Sequence, residues 1–361
     1  MRMRIIRNLN IVCLKLMFTH KFSIPTAMVV TSALIIPALT PHAWGQGEVN
    51  IYSARQEILI RPQLDAFTTV TGVKVNLVSG KDDALIERLR AEGANSPADV
   101  LLTVDVGRLV RAKESGVLQA VESESLIAPI PPQYRDSEGF WFGLALRSRV
   151  IYFSPERVDI VELSTYEDLA DDRWRGLICI RSSSNVYNQS LLASLIAHLG
   201  VVEAEAWADG VVKNMARPPQ GGDRDQIAAV AAGECDIAVG NTYYYAGMLN
   251  GTDGERETAS RVRLFWPNQN GRGAHVNVSG GGIAAHAPNR KNAILLLEYL
   301  VSEEAQRIYA EVAYEYPVRA GVPVAPTLFE FGEFKADAID LEEVAVHQPE
   351  ALRIFDRVAW R

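Results

Sequence analysis

Short apolar runs alternate with longer amphipathic stretches along the chain from about residue 49 onward. Residues 49–52 form an apolar run, 56–71 have apolar positions at helical spacing, and 73–78 alternate apolar and polar residues as a half-buried strand does. Gly72 separates the last two, as is typical of a helix C-terminus. The repeated change between the two periods predicts an α/β fold.

Two extended segments of this pattern are longer than the other predicted strands. Residues 140–153 and 274–283 are each long enough to pass from one lobe into another, and Ser279 is followed by three glycines that permit bending. The 316 residues from 46 onward are also too many for one ordinary core. We therefore predict two α/β lobes joined by two crossings around a ligand cleft. The predicted first lobe comprises residues 46–147 and 275–325, and the second comprises 148–274 and 326–361.

Further amphipathic stretches predict helices in both lobes. They cover residues 82–91, 106–115, 189–199, 203–214, 224–232, 291–312 and 341–360.

Residues 1–45 are read as a secretory leader rather than as part of the fold. They contain five basic and no acidic residues, then an apolar stretch from about residue 24 to 39 and small residues near Gly45. The apolar stretch is interrupted by Pro25 and Pro37, whereas a spanning helix needs roughly 20 unbroken apolar residues. This pattern predicts export to the periplasm.

Removing the leader makes the remaining chain strongly acidic. The whole chain has 36 basic and 44 acidic residues, and because five basic residues lie in 1–45, the remainder has 31 against 44 and a net charge of −13. Nucleic-acid binding depends on basic clusters, so the charge argues against a nucleic-acid partner. We expect a monomer that attracts cations weakly over long range.

Two cysteines remain after the leader, Cys179 and Cys235. Each lies in a short β-like run, and an even count in an oxidising compartment suggests a disulfide. Two buried, reduced thiols are the alternative.

The most informative chemistry lies in a run of three tyrosines, Tyr243, Tyr244 and Tyr245, which follows an apolar strand. Tyrosine often packs on half-buried surfaces, so a structural role is one interpretation. The functional interpretation is a cluster of phenol oxygens. Phenolate is a hard oxygen donor, and a trivalent cation can displace its proton although the free pKa is about 10.

Polar side chains at three other junctions are candidate ligands or capping residues. A serine- and asparagine-rich loop from Arg181 to Asn188 precedes a helix predicted to start near Gln189, and such a loop can cap a helix or present N–H groups to an anion. Arginines at the other two junctions, Arg55 and the Arg147/Arg149 pair, are either solvated or anion-binding.

Together these segments resemble the bacterial ferric-iron-binding periplasmic proteins of ABC transporters. The resemblance covers nearly all of the chain after the leader and rests on IYSARQ, DVLLTVDVGRL, FWFGLALRSRVIYFSP, RSSSNVYNQS, NTYYYAGML and HVNVSGGGI. The pairing of RSSSNVYNQS with NTYY is the most specific element. The resemblance implies the two-lobed type II periplasmic-binding-protein fold with hinge strands, Fe³⁺ bound in the cleft, and delivery to an ABC permease.

Carried over position by position, the resemblance implies phenolate ligands at Tyr187, Tyr243 and Tyr244, with Tyr245 structural. Some members add a histidine or tyrosine where this chain has Gln56 and Glu57. Members without it complete the iron coordination with an exogenous anion such as carbonate, held by arginines. Arg55 and Arg147 match that role best and Arg149 less well, while Glu57, Gln56 and Ser184 are further candidates for the ligand set or the cleft.

Two rival functions follow from the same residues. The first is the same fold holding an organic or phosphate-type anion or another small solute, which the serines, arginines and backbone N–H groups would also suit, but which has no need of three acidic phenols. The second is a secreted hydrolase. The chain contains neither a GxSxG elbow nor an HExxH motif, and no histidine is placed near a candidate nucleophile, so we expect binding without catalysis.

Overall fold

The computed structural model describes residues 47–361, and the predicted leader, residues 1–45, lies outside the described residues. Among the described residues no helix is long and apolar enough to cross a membrane. The strands are β1 Glu48–Ser53, β2 Lys74–Ser79, β3 Val100–Thr103, β4 Leu118–Gln119, β5 Phe142–Phe153, β6 Ile178–Cys179, β7 Ile237–Asn241, β8 Arg263–Phe265, β9 Val276–Ala284 and β10 Tyr316–Pro317. The helices are α1 Glu57–Thr71, α2 Asp82–Glu92, α3 Val106–Glu114, α4 Glu124–Ile127, α5 Val186–Leu199, α6 Val201–Asn214, α7 Asp223–Ala232, α8 Thr242–Leu249, α9 Asp253–Ser260, α10 Arg290–Leu300, α11 Glu303–Ala313, α12 Pro326–Glu330 and α13 Leu341–Arg357.

The first sheet has the strand order β2-β1-β3-β9-β5. Strands β1, β2 and β3 are parallel, and β9 runs antiparallel to β3 and β5. Helix α1 packs against β2 and α11 through a face that includes the buried Ile60, Leu64 and Phe67. It ends at Gly72, whose φ of +74° is the left-handed conformation that terminates helices.

The second sheet shares strand β5 with the first. Residues up to Ser148 pair with β9, and from Arg149 onward β5 pairs with β7 instead. Strand β6 lies parallel to β7, and β8 pairs with the end of β5. Helices α7 and α8 pack on this sheet. The long strand predicted within residues 140–153 is therefore present and belongs to both sheets.

Strand β9 explains the run of three glycines differently from the sequence analysis. The glycines lie in the middle of an extended strand between β3 and β5, where a Cβ on Gly282 would come within 2.4 Å of the Phe140 carbonyl oxygen and one on Gly280 within 2.6 Å of the Phe142 carbonyl oxygen. Close backbone approach, rather than bending, accounts for these residues.

The C-terminal helix α13 packs against both α3 and α5. Gln348 of α13 donates hydrogen bonds to Asp105 Oδ1 (2.8 Å) and Ser190 Oγ (2.7 Å), and Ser190 donates to Asp105 Oδ2 (2.6 Å). Asp105 also caps α3 by accepting from the Gly107 N–H. This buried polar network ties α3, which follows the first sheet's β3, to α5, which follows the second sheet's β6.

Two predicted helix boundaries were wrong. The stretch 291–312 is two helices, α10 and α11, because Ser302 leaves the helical conformation and its side chain caps α11 at the Ala305 N–H. Helix α5 begins at Val186 rather than near Gln189, because Asn185 is the capping residue. The second difference moves Tyr187 from the loop into the first turn of the helix.

Candidate metal and anion site

The three candidate tyrosines lie at two neighbouring helix N-termini. Strands β6 and β7 are parallel, so their carboxyl ends meet at the same edge of the second sheet. The chain leaving β6 enters α5, of which Tyr187 is the second residue, and the chain leaving β7 enters α8 directly, of which Tyr243 and Tyr244 are the second and third. The positive ends of both helix dipoles therefore favour negative charge on these phenols.

The phenol groups of the three residues form one cluster. The Tyr243 hydroxyl donates a hydrogen bond to the Tyr187 hydroxyl at 3.2 Å. The Tyr243 and Tyr244 rings are 4.2 Å apart between centroids at an angle of 34°. Tyr243 is buried, whereas Tyr187 and Tyr244 are partly exposed. Two phenol oxygens are thus already in contact, with the third ring packed beside them in a tilted arrangement.

Burial raises the pKa of all three phenols. For Tyr187 desolvation is the main cause, and the nearby Arg147 guanidinium opposes it. Desolvation also raises the pKa of Tyr243, with further contributions from Tyr187 and Tyr244, and it raises the pKa of Tyr244 together with the negative charge of Asp223. All three are therefore neutral near pH 7, and a cation that takes their oxygens as ligands must displace protons.

Arg55 and Arg147 meet at one serine hydroxyl beside this cluster. Arg55 Nη1 donates to Ser279 Oγ at 2.6 Å, and Arg147 Nη1 donates to the same oxygen at 2.8 Å. The Arg147 guanidinium carbon lies 5.2 Å from the Tyr187 ring centroid. Both arginines are at most 4% exposed. The structure thus brings together two cations from segments 92 residues apart in the chain, next to the tyrosines.

Arg149 occupies a network separate from that of Arg55 and Arg147. Its Nη1 donates to Asp223 Oδ1 and Asn241 Oδ1, both at 3.1 Å, and its Nη2 donates to Asn188 Oδ1 at 2.5 Å. Its guanidinium carbon lies 5.9 Å from the Tyr187 ring centroid. Arg149 therefore hydrogen-bonds to residues at the N-termini of both helices that carry the tyrosines. Its positive charge also lies close to the Tyr187 ring.

Three other candidates lie apart from the cluster. Glu57, the first residue of α1, is exposed and pairs with Arg61. Gln56 is the exposed N-cap of the same helix and makes no side-chain capping bond. Ser184 is exposed, with its hydroxyl 3.0 Å from that of Ser182. In the described part of the chain, no hydrogen bond joins any of the three to the tyrosines.

Tyr245 and the two cysteines lie behind the site. The buried Tyr245 hydroxyl donates to the Val262 carbonyl oxygen at 2.7 Å, which places this ring in the lobe interior. Cys179, at the end of β6, and Cys235, just before β7, are joined by a disulfide with a Cα separation of 5.8 Å. The bond links the two segments that position Tyr187 and Tyr243.

Sequence reasoning missed two buried carboxylates. Glu315 accepts from Arg55 Nη2 at 2.6 Å and is 3% exposed. Asp223 accepts from both Arg149 and Arg181, the latter at 2.5 Å. Neither lies in a motif of the chain, and Glu315 is 260 residues from its partner, so no local pattern pointed to either.

Comparison with known proteins identifies the fold and family. Residues 95–335 match the family model described as bacterial extracellular solute-binding protein. The chain belongs to this family.

Similar family members include iron-uptake proteins. The chain is 49% identical over 317 residues to iron uptake protein A1 of Synechocystis, covering 88% of each chain. It is 52% identical to the Trichodesmium IdiA (FutA) protein solved in complex with iron and citrate ligands, covering 87% of this chain and all of that one at a TM-score of 0.83. It is 40% identical to the ferric binding protein from Campylobacter jejuni, covering 87% of this chain and 100% of that one at a TM-score of 0.84. The predicted two-lobed α/β fold and the resemblance are therefore confirmed.

The tyrosine cluster offers phenol oxygens as metal donors. Within residues 47–361 no group of three or more histidine, cysteine, aspartate or glutamate side chains is placed to hold a metal ion. A metal at the cluster would thus have tyrosine as its main protein ligand, and such oxygen donors suit a hard cation.

Proposed function

We propose that the protein binds ferric iron through the phenolates of Tyr187, Tyr243 and Tyr244, completes the metal's coordination with an exogenous anion held by Arg55 and Arg147, and delivers the iron to an ABC permease. The observation that carries the proposal is the contact of the Tyr187 and Tyr243 hydroxyls at 3.2 Å, with the Tyr244 ring packed against that of Tyr243. The names of the iron-uptake and ferric-binding relatives support it.

Unfilled coordination positions, rather than charge, support the need for an exogenous anion. Three phenolates neutralise Fe³⁺ but occupy only three of its coordination positions. Gln56 and Glu57 stand where some members of the resembled proteins have a further ligand, and Glu57 is turned to Arg61. Two adjacent guanidiniums favour a small anion such as carbonate, because their planar forks match its geometry.

The proposed cycle is reversible binding without catalysis. We assign the hinge to the crossings near residues 147/148 and 274/275, with lobes at the boundaries predicted above. The change of β5 from pairing with β9 to pairing with β7 after Ser148 supports the first of these positions. Membership in an extracellular solute-binding family supports an extracytoplasmic location, and we propose the periplasm, reached through a leader in residues 1–45.

The visible spectrum tests the iron site directly. Charge transfer from tyrosinate to iron should turn the purified protein orange to red when ferric nitrilotriacetate is added with bicarbonate. Substituting Tyr187→Phe or Tyr244→Phe removes one phenolate and should bleach the colour and weaken binding at least about 100-fold, since truncating one partner of a buried charged contact is costly. Tyr243→Phe should behave in the same way.

Tyr245→Phe is the matched control. It removes the same atom from the neighbouring residue, whose hydroxyl is bonded to Val262 in the interior, and should leave the colour unchanged. A wild-type protein that stays colourless would instead support the rival in which the same fold holds an organic or phosphate-type anion. Turnover of a substrate that required Tyr187 would contradict the absence of catalysis.

A further inference from the structure

The anion site contains a carboxylate of its own. Glu315 follows α11, and its Oε2 accepts from Arg55 Nη2 at 2.6 Å. Its Oε1 lies 3.8 Å from Arg147 Nη1 and accepts from the Ser279 hydroxyl at 3.3 Å. Arg55, Arg147, Ser279 and Glu315 thus form one contiguous group.

The group is buried, so its charges are weakly screened. Each of the four residues is at most 4% exposed. The pKa of Arg55 is raised: burial by itself disfavours the charged form, but the negative charge of Glu315 outweighs it. The Tyr309 ring lies 5.2 Å from the Arg55 guanidinium carbon and contributes an apolar wall.

One positive charge of the group is left uncompensated. Two guanidiniums face a single carboxylate, and Ser279 contributes only a neutral hydroxyl that accepts from both arginines. Without the Glu315 carboxylate, the two arginines would attract anions more strongly. The carboxylate therefore limits the net positive charge of the group.

Resting on the proposed function, we infer that Glu315 is a specificity-determining residue for the exogenous anion: its buried carboxylate repels every anion on the arginine pair and repels dianions more than monoanions. The physical reason is that Coulomb energy scales with the product of the charges. Removing the Glu315 charge should therefore raise the affinity for both kinds of anion. The fold-increase for a dianion should be roughly the square of the fold-increase for a monoanion.

Two planar carboxylates, formate and oxalate, test this charge scaling. Purified wild-type and Glu315→Gln proteins are loaded with ferric nitrilotriacetate in bicarbonate-free buffer and titrated with each anion, and the tyrosinate band reports binding. Glutamine has nearly the shape of glutamate, so both proteins offer each anion nearly the same space. The ratio of their affinities for one anion therefore does not depend on the size of that anion. We expect a gain on the order of fivefold for formate and about 25-fold for oxalate.

Control variants separate charge from structure. Glu315→Asp keeps the charge and should retain the wild-type ratio of the two anions. Glu311→Gln removes one charge from the exposed surface of α11 and should change neither affinity. Should Glu315→Gln fail to fold, as thermal unfolding would reveal, Ser279→Asp adds a carboxylate between the arginines and is expected to weaken oxalate more than formate.

The outcomes distinguish this inference from the proposed function. A larger gain for oxalate than for formate supports the role of Glu315. Equal changes for both anions, or none, overturn it while leaving the iron site intact, because they would indicate that Glu315 only positions Arg55. A wild-type protein that develops no tyrosinate band contradicts the proposed function itself.

Discussion

The three phenols combine a raised pKa with neighbours that favour the ionised form. Desolvation keeps Tyr187, Tyr243 and Tyr244 protonated in the metal-free protein, while Arg147 lowers the pKa of each and the two helix N-termini add favourable dipoles. The residues therefore resist losing protons to water but release them when a trivalent cation takes their oxygens.

Iron affinity should fall steeply with acidification. Each bound iron displaces about three protons, so the apparent affinity should drop by about 1,000-fold for each pH unit between about pH 8 and pH 6, apart from protons exchanged by the anion. Competition with nitrilotriacetate, corrected for its own protonation, measures the slope. An affinity that did not change over this range would exclude the three phenols as ligands.

Among the elements, α13 approaches α3 closely at Gly107, which has no side chain to obstruct Gln348. A Cβ on Gly107 would lie 2.1 Å from Gln348 Oε1, and that oxygen accepts from Arg108 Nη1 at 2.9 Å. The Gln348 amide also donates to Asp105 and Ser190. The side chain cannot move aside without losing these buried hydrogen bonds.

Gly107→Ala should destabilise the fold by about 1–3 kcal/mol, the cost of leaving buried polar groups without partners. Urea denaturation of the single and double variants provides the test. In a Gln348→Ala background the same substitution should cost much less, because the obstructing amide is gone. Equal costs in the two backgrounds would show that Gly107 and Gln348 are not coupled.

The disulfide between the β6 and β7 segments should stabilise the second lobe. It closes a loop with a sequence separation of 56, for which loop-closure entropy gives about 4 kcal/mol. Replacing Cys179 and Cys235 with serine should lower the free energy of unfolding by an amount of this order, measured in urea. Adding reductant to the wild-type protein should have a similar effect, and no effect in either case would argue that the bond is absent in solution.

At the scale of the whole molecule, the candidate site draws on both sheets. Arg55 follows β1 of the first sheet, Arg147 and Ser279 lie on the two strands β5 and β9, and the tyrosines lie on helices that follow strands of the second sheet. Such a site is complete only when all these elements hold their positions, so binding and folding are thermodynamically linked.

Ferric iron should therefore stabilise the wild-type protein against heat. At free iron about 100 times the dissociation constant, linkage gives about 2.7 kcal/mol of added stability. Differential scanning calorimetry with ferric nitrilotriacetate and bicarbonate measures the change in Tm. Tyr187→Phe should remove most of the shift and Tyr245→Phe should retain it; a shift of equal size in both would place the iron elsewhere.

The amino-acid sequence by itself determined the alternation of strands and helices, the long strand β5, and the tyrosine pair after β7. Each of these features depends only on residues within a window of about 20 positions. The resemblance added Tyr187 as a third candidate ligand and assigned Arg55 and Arg147 as candidate anion-binding residues. These predictions need no knowledge of which strand lies beside which.

Tertiary structure alone decided what surrounds those residues. Glu315 lies 260 residues from Arg55, and Ser279 lies 132 from Arg147, so their contacts exist only because β9 runs between β3 and β5 and the chain after α11 returns to β5. Local periodicity carries no information on such pairings, which depend on sheet order and on which buried charges neutralise each other. The candidate ligands can therefore be predicted from the sequence, whereas the charge around the candidate anion site depends on the tertiary structure.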